Sequence, residues 1–281
     1  MNNKKYIVLI VIIFSILGCL SSINQNRFVR LIFFDVGQGD ATLVVLPDGR
    51  KILIDGGPDD KILLRLGSYL NFFDRQIDWV ILTHEHDDHV FGLVQILKRY
   101  QVGKIVYSEK SCKNPACSTF FEIANETRVS LEKLKNNKTI LFDQNCSMQL
   151  FPPHDSETKN VNNRSIALRL VCGEARLLLA GDGEEARENE LLLEHQNLSA
   201  DIFKASHHGS KTSNSQEFLE AINPKVVIIS VGENNTFGHP SENIIERFKK
   251  MGIRIFRTDK NGNISINFRW KSYPQLSIDK Q

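Results

Sequence analysis

The sequence predicts one α/β domain made of two mixed β-sheets flanked by helices. Three observations lead there. Short apolar runs bounded by Gly, Pro and Asp recur along the chain as strands. A hairpin opens each half, and helix–strand alternation follows it. Hydrophobic residues make up 41% of 281 residues, enough for a large core. With 17 Gly, 8 Pro and 24% charged residues, the composition excludes collagenous, low-complexity and wholly disordered chains.

The elements follow in order. Residues 1–18 read as a signal peptide: Lys4 and Lys5 precede an uncharged apolar run over residues 6–20. That run is shorter than the roughly 20 residues a bilayer requires. It ends in Ile16-Leu17-Gly18-Cys19, which resembles a bacterial lipobox with Cys19 lipidated as the mature N-terminus. The alternatives are a retained anchor, in which Cys19 is merely apolar, and a simple cleaved signal. Residues 19–29 read as a linker, 30–268 as the domain and 269–281 as a C-terminal tail.

Within the domain, residues 30–34 form a strand ending at Asp35, and Gly37-Gln38-Gly39-Asp40 turns the chain. Residues 41–46 and 51–54 pair across Pro47-Asp48-Gly49. Asp55-Gly56-Gly57-Pro58 stops the second strand. Residues 59–71 carry Ile62, Leu63, Leu66 and Leu70 at helical spacing. Residues 77–82 read as a buried strand, 90–100 as a helix and 104–107 as a strand. Residues 112–138 are mixed in charge with a helix in the middle, 140–142 and 148–151 are weak strands, and 154–163 is a polar loop. A second hairpin joins 165–171 to 176–180 and runs into Gly181-Asp182. An amphipathic helix spans 184–195, where helix-dipole placement explains His195. Residues 201–205 form a strand. The segments 214–222, 225–231, 241–251 and 253–256 then alternate helix and strand.

Charge and cysteines narrow the function classes. Lys and Arg number 35 against 33 acids, and without Lys4 and Lys5 the balance is neutral. A neutral body exerts no net pull on nucleic acid. Cys112-Lys-Asn-Pro-Ala-Cys117 places turn residues between two thiols, which suits a small disulfide loop outside the cytoplasm. The spacing does not match a zinc knuckle. Cys172, in a strand-like run, reads as a core residue.

The chemistry concentrates in Thr83-His84-Glu85-His86-Asp87-Asp88-His89. No core calls for three imidazoles and neighbouring carboxylates in six residues, because each would be a costly buried polar group. His84 and His86, two apart in extended chain, point the same way and can grip one ion. Asp88 and His89 follow where the chain turns into a helix and can face a second. Imidazole with carboxylate suits Zn²⁺, Mn²⁺ or Fe. Two further strands end in Gly181-Asp182 and in Ser206-His207-His208-Gly209, so three strand ends bearing His or Asp converge on one sheet edge.

These residues resemble the metallo-β-lactamase fold, and more narrowly the soluble domain of ComEC-type competence proteins. The matching stretches are Phe34-Asp-Val-Gly-Gln-Gly-Asp40, Ile54-Asp-Gly-Gly-Pro58, residues 83–92, Asn162-Asn-Arg-Ser165, Ser206-His-His-Gly-Ser210, Ser230-Val-Gly-Glu-Asn-Asn235 and Gly238-His-Pro240. The resemblance implies an αββα sandwich with two divalent ions, Zn or Mn, at its edge. By motif, His84 and His86 hold the first ion, Asp88 and His89 the second, and Asp182 bridges. The last ligand comes from His207 or His208; His207, directly after its strand, is favoured, which leaves His208 to support the ligands or face substrate. Asp55 becomes a structural acid of the metal loop. Many members carry one more His between the His-x-His loop and the bridging Asp. Here Asn162–Ser165 occupies that place, and His154 is the other candidate. Ser210, Asn235 and His239 fall on the pocket wall, where His239 either donates to a phosphate or simply belongs to a turn.

Two close ions acidify water at neutral pH, and Asp88 can orient that water and take its proton. The resemblance implies a hydrolase of DNA or another phosphodiester, in a role connected with DNA uptake, while the N-terminal run implies that it is exported and membrane-anchored. A hydrolase of a lactone, β-lactam or cyclic nucleotide, and a non-catalytic surface binding protein, are the alternatives.

Overall fold

The computed structural model describes residues 28–71, 73–155, 158–194, 197–269 and 275–278. Cys19, the signal peptide and His195 lie outside the described residues.

The strand runs close into two sheets. In the first, β1 (Phe28–Phe33), β2 (Thr42–Val45) and β3 (Lys51–Ile54) form an antiparallel meander. β4 (Gln76–Leu82), β5 (Gln101–Tyr107) and β6 (Ser130–Lys133) extend it in parallel. β14 (Ile264–Arg269) pairs with β1, and β15 (Gln275–Ile278) pairs with β14. The expected C-terminal tail therefore supplies an edge strand. In the second sheet, β7 (Lys138–Leu141), β8 (Cys146–Phe151), β9 (Ala167–Cys172) and β10 (Ala175–Leu179) are antiparallel. β11 (Ile202–Lys204), β12 (Val226–Ile229) and β13 (Arg254–Arg257) continue in parallel from β10.

Side-chain alternation sorts the core into layers. Leu31, Phe33, Ile54 and Ile81 from one sheet meet Leu168, Leu177, Ile202 and Ile228 from the other in a buried inner layer. The opposite faces go outward. Ile32, Leu53, Val80 and Leu82 pack beneath α1 (Lys61–Gly67), α2 (Asp87–Leu97) and α3 (Pro115–Glu126). Phe203, Val227 and Ile229 pack beneath α4 (Glu185–Leu193), α5 (Gln216–Ile222) and α6 (Glu242–Lys250). A short helix, α7 (Thr258–Asn261), links β13 to β14. Helix, sheet, sheet, helix is the layer order expected from the sequence.

Two disulfides fasten this frame. Cys112–Cys117 closes the expected loop at the start of α3. Cys172 is buried as expected, but it is also bonded to Cys146, its register partner on β8.

Candidate metal centre

The parallel strands β3, β4, β10 and β11 all deliver their C-terminal ends to one edge of the sandwich, the usual place for a site in α/β sheets. Asp55 follows β3, Thr83 and His84 follow β4, Asp182 follows β10 by way of Ala180 and Gly181, and the His207-His208 pair follows β11. α2 begins with Asp87 and Asp88 in its first turn, where the helix dipole favours negative charge. It lies directly on the turn after β3: a Cβ on Gly92 would sit 1.9 Å from the Gly56 carbonyl oxygen, so only glycine permits the approach.

Asp88, His89, Asp182 and His208 converge, each offering one donor atom within 4.8 Å of the others. His89 Nε2 stands 3.4 Å from Asp182 Oδ2 and 3.9 Å from Asp88 Oδ2. His208 Nε2 stands 3.3 Å from each of the same two carboxylates. The backs of the rings are tied: His89 Nδ1 donates to Asp55 Oδ2 at 2.8 Å, and His208 Nδ1 donates to the Ser230 carbonyl at 2.9 Å. Each tie puts the proton on Nδ1 and turns the Nε2 lone pair into the cluster. Both Nε2 atoms, and Asp182 Oδ1, are buried without a hydrogen-bond partner. Buried polar atoms are rarely left so, and a divalent cation fits this donor set.

His84 and His86 stand beside that cluster. His84 Nε2 lies 3.1 Å from His86 Nδ1, and the His84 ring is 4.2 Å from that of His89, centroid to centroid. The Thr83 hydroxyl donates to Asp55 at 2.7 Å, so it accepts from His84 Nδ1 at 3.1 Å. This again leaves a lone pair on Nε2. Asp55 is therefore a structural hub: it also accepts from the Thr83 amide at 2.9 Å. Asp87 is exposed and outside the cluster.

The structure brings in His208 where the sequence favoured His207. Both residues take left-handed backbone angles, φ 50° and 53°. That turn swings His207 outward, with Nδ1 3.7 Å from Glu184, and His208 inward. His154 is also absent from the cluster; it is exposed and pairs with Glu194. The Asn162–Ser165 segment is instead a brace. Ser165 Oγ accepts from the Asp182 amide at 3.1 Å and lies 3.4 Å from His84 Nδ1. Arg164 holds the buried Glu85 at 3.0 Å. Asn162 and Asn163 bond Glu184 and its amide. Ser210 is buried against Thr212 at 3.0 Å, while Asn235 and His239 lie on the rim.

Sequence reasoning missed Lys204. It is buried at the end of β11, ion-paired with Asp40 and 4.0 Å from Asp182. A lysine inside an otherwise apolar strand was the available signal. Burial pushes the Asp40 carboxyl up, but the Lys204 ammonium and His208 outweigh it and hold it at about 2. Burial likewise acts to lower His89 and His208, yet the surrounding carboxylates, Asp182 first, raise both well above the ordinary imidazole range. A field that favours a proton on these nitrogens favours a cation among them. His84 is lowered well below that range by burial and by His89 beside it.

The family profile described as Metallo-beta-lactamase superfamily matches residues 34–233. Among characterised sequences, the chain is 29% identical to ComE operon protein 3 of Bacillus subtilis over 89% of its own length and 34% of that protein's. It is 31% identical to competence protein ComA of Neisseria gonorrhoeae over 83% of its length and 31% of that protein's. The chain thus spans about a third of the length of these relatives. Among solved structures, Zn²⁺-bound PqqB from Methylobacterium extorquens superposes with a TM-score of 0.54 at 12% identity, covering 81% of this chain and 97% of that one.

Proposed function

The chain belongs to the metallo-β-lactamase superfamily, and from that premise we propose that it is a metal-dependent hydrolase of phosphodiesters, acting on DNA. The convergence of Asp88, His89, Asp182 and His208 around unbonded buried nitrogens carries the hydrolase reading. The phosphodiester reading is supported by similarity to competence proteins along most of the chain.

In this reading Asp88, His89, Asp182 and His208 would hold one divalent ion, zinc or manganese. His84 and His86 would hold a second, with Asp182 available to either. When bound, such ions lower the pKa of water and stabilise charge on the attacked oxygen. The chain's own residues do the positioning. Asp55 and the Ser230 carbonyl fix two imidazoles from behind, and Thr83 with Ser165 fixes a third. Asp88, partly exposed at the head of α2, orients the attacking water and accepts its proton.

The reading extends to location. Two disulfides suit an oxidising compartment outside the cytoplasm. Cys19 serves as the lipid attachment point, tethering the domain to the membrane. Metal analysis of the purified protein tests the core of this reading, together with cleavage assays on single- and double-stranded DNA in Mn²⁺ and Zn²⁺. One to two ions per chain and metal-dependent cleavage are expected; a folded protein that takes up no metal overturns it.

A further inference from the structure

Beyond the metal cluster, a ladder of rings leads out of the site. The His208 and His207 ring centroids are 6.2 Å apart, and those of His207 and His239 are 5.4 Å apart. Phe237 then stacks on His239 with centroids 6.1 Å apart and planes inclined by 20°. Phe237 therefore lies alongside an imidazole at the rim, and it is 68% exposed to solvent.

The loop that carries this ring is pinned. Asn235 Nδ2 donates to the carbonyls of Gly232 and His239 at 3.1 and 2.7 Å, and Asn235 Oδ1 accepts from the His239 amide at 3.1 Å. The Gly232 amide in turn donates to Gln38 Oε1 at 3.2 Å, tying the loop to the turn after β1. Gly238 takes φ +71° with nothing packed against it, so its left-handed backbone alone calls for glycine there. A loop tip whose only task is to close a turn is served by small polar residues. A packing aromatic would be buried. An aromatic ring on a pinned loop, open to solvent, is the arrangement that receives another flat ring.

We propose that Phe237, backed by His239, is a stacking platform for a nucleobase of a single strand whose scissile phosphate lies at the metal cluster. The proposal rests on the phosphodiesterase reading and deepens it. It assigns the substrate to base-bearing nucleic acid, and it makes one base at a fixed distance from the cleaved bond a determinant of binding. Stacking tolerates any base, because every base offers a π-face. A platform of this kind also needs no net positive charge, in keeping with the neutral balance of the body.

The test is an abasic scan. A fluorescein-labelled oligothymidylate with cleavage-resistant phosphorothioate linkages, and copies of it carrying an abasic residue at each position in turn, are titrated against the metal-loaded full chain, followed by anisotropy. In the parent, one abasic position should weaken binding about tenfold. In Phe237→Ala that positional penalty should vanish, and in Phe237→Trp it should return, with indole fluorescence quenched on binding. A penalty that persists in Phe237→Ala, or a parent blind to every abasic position, overturns the platform alone. A parent that binds no oligonucleotide overturns the phosphodiesterase reading and the platform with it.

Discussion

Asp55 accepts the Nδ1 proton of His89 at 2.8 Å while the same carboxylate holds the Thr83 hydroxyl and amide. One buried acid thereby orients His89 directly and His84 through Thr83. Asp55→Asn would bring an NH₂ against one of these donors. The expected outcome is a loss of about 10- to 100-fold in metal affinity, measured by isothermal titration of the metal-free protein.

The inward and outward histidines should separate cleanly. His208→Ala removes a donor from the cluster of Asp88, His89 and Asp182, and should lower the metal content by about one ion per chain. His207→Ala, which removes a ring turned toward Glu184, should keep the parent's stoichiometry. Elemental analysis of both variants decides the matter. Metal lost from the second and not the first would return the ligand role to His207.

Asp88→Asn should reduce cleavage of bis-p-nitrophenyl phosphate by on the order of 10²-fold or more, since an amide accepts no proton and ligates poorly. Asp87→Asn removes the same charge from an exposed neighbour and should be much milder. Equal losses would assign the acids a general electrostatic role.

The Lys204–Asp40 pair is buried at both ends. Lys204→Met leaves a carboxylate beside Asp182 without its cation, so a destabilisation of about 3–5 kcal/mol is expected in urea unfolding. The double variant with Asp40→Asn removes the orphaned charge and should recover part of that loss.

His239 gives a pH signature. Burial, with His207 and His208 beside it, lowers its imidazole to about 4, against an unfolded value of 6.5. Between those values the unfolded chain binds the extra proton, so the contribution is present above pH 6.5 and is lost as pH falls toward 4. His239→Gln removes this slope. The urea midpoint of the parent relative to the variant should fall across that window, as read from paired titrations at fixed ionic strength.

What the sequence disclosed follows from what is local. The strand over 77–82, the first hairpin and the acid-and-histidine loop are written in consecutive residues, and the structure places them close to their expected bounds. β6 was hidden because an edge strand, Ser130–Lys133, has no clear apolar alternation to betray it. Among the described residues β15 pairs only with β14, and its polar sequence surroundings read as a tail. The choice between His207 and His208 turned on two successive left-handed residues, which no spacing rule reports. Glu85 and Arg164 are 79 positions apart, so their pairing is visible only once the sheets have met.

The donors of the centre are delivered by both sheets: Asp88 and His89 at the head of α2, which follows β4, and Asp182 and His208 just past the ends of β10 and β11. The site is therefore a seam. A sub-ångström slip of one sheet over the other would part the donors while leaving each sheet's hydrogen-bonded ladder intact. Such breathing requires far less than global unfolding. On warming, catalytic competence should accordingly decay before the far-ultraviolet circular dichroism does. A bound cation, gripping both halves at once, would act as the clasp that brings the two transitions together.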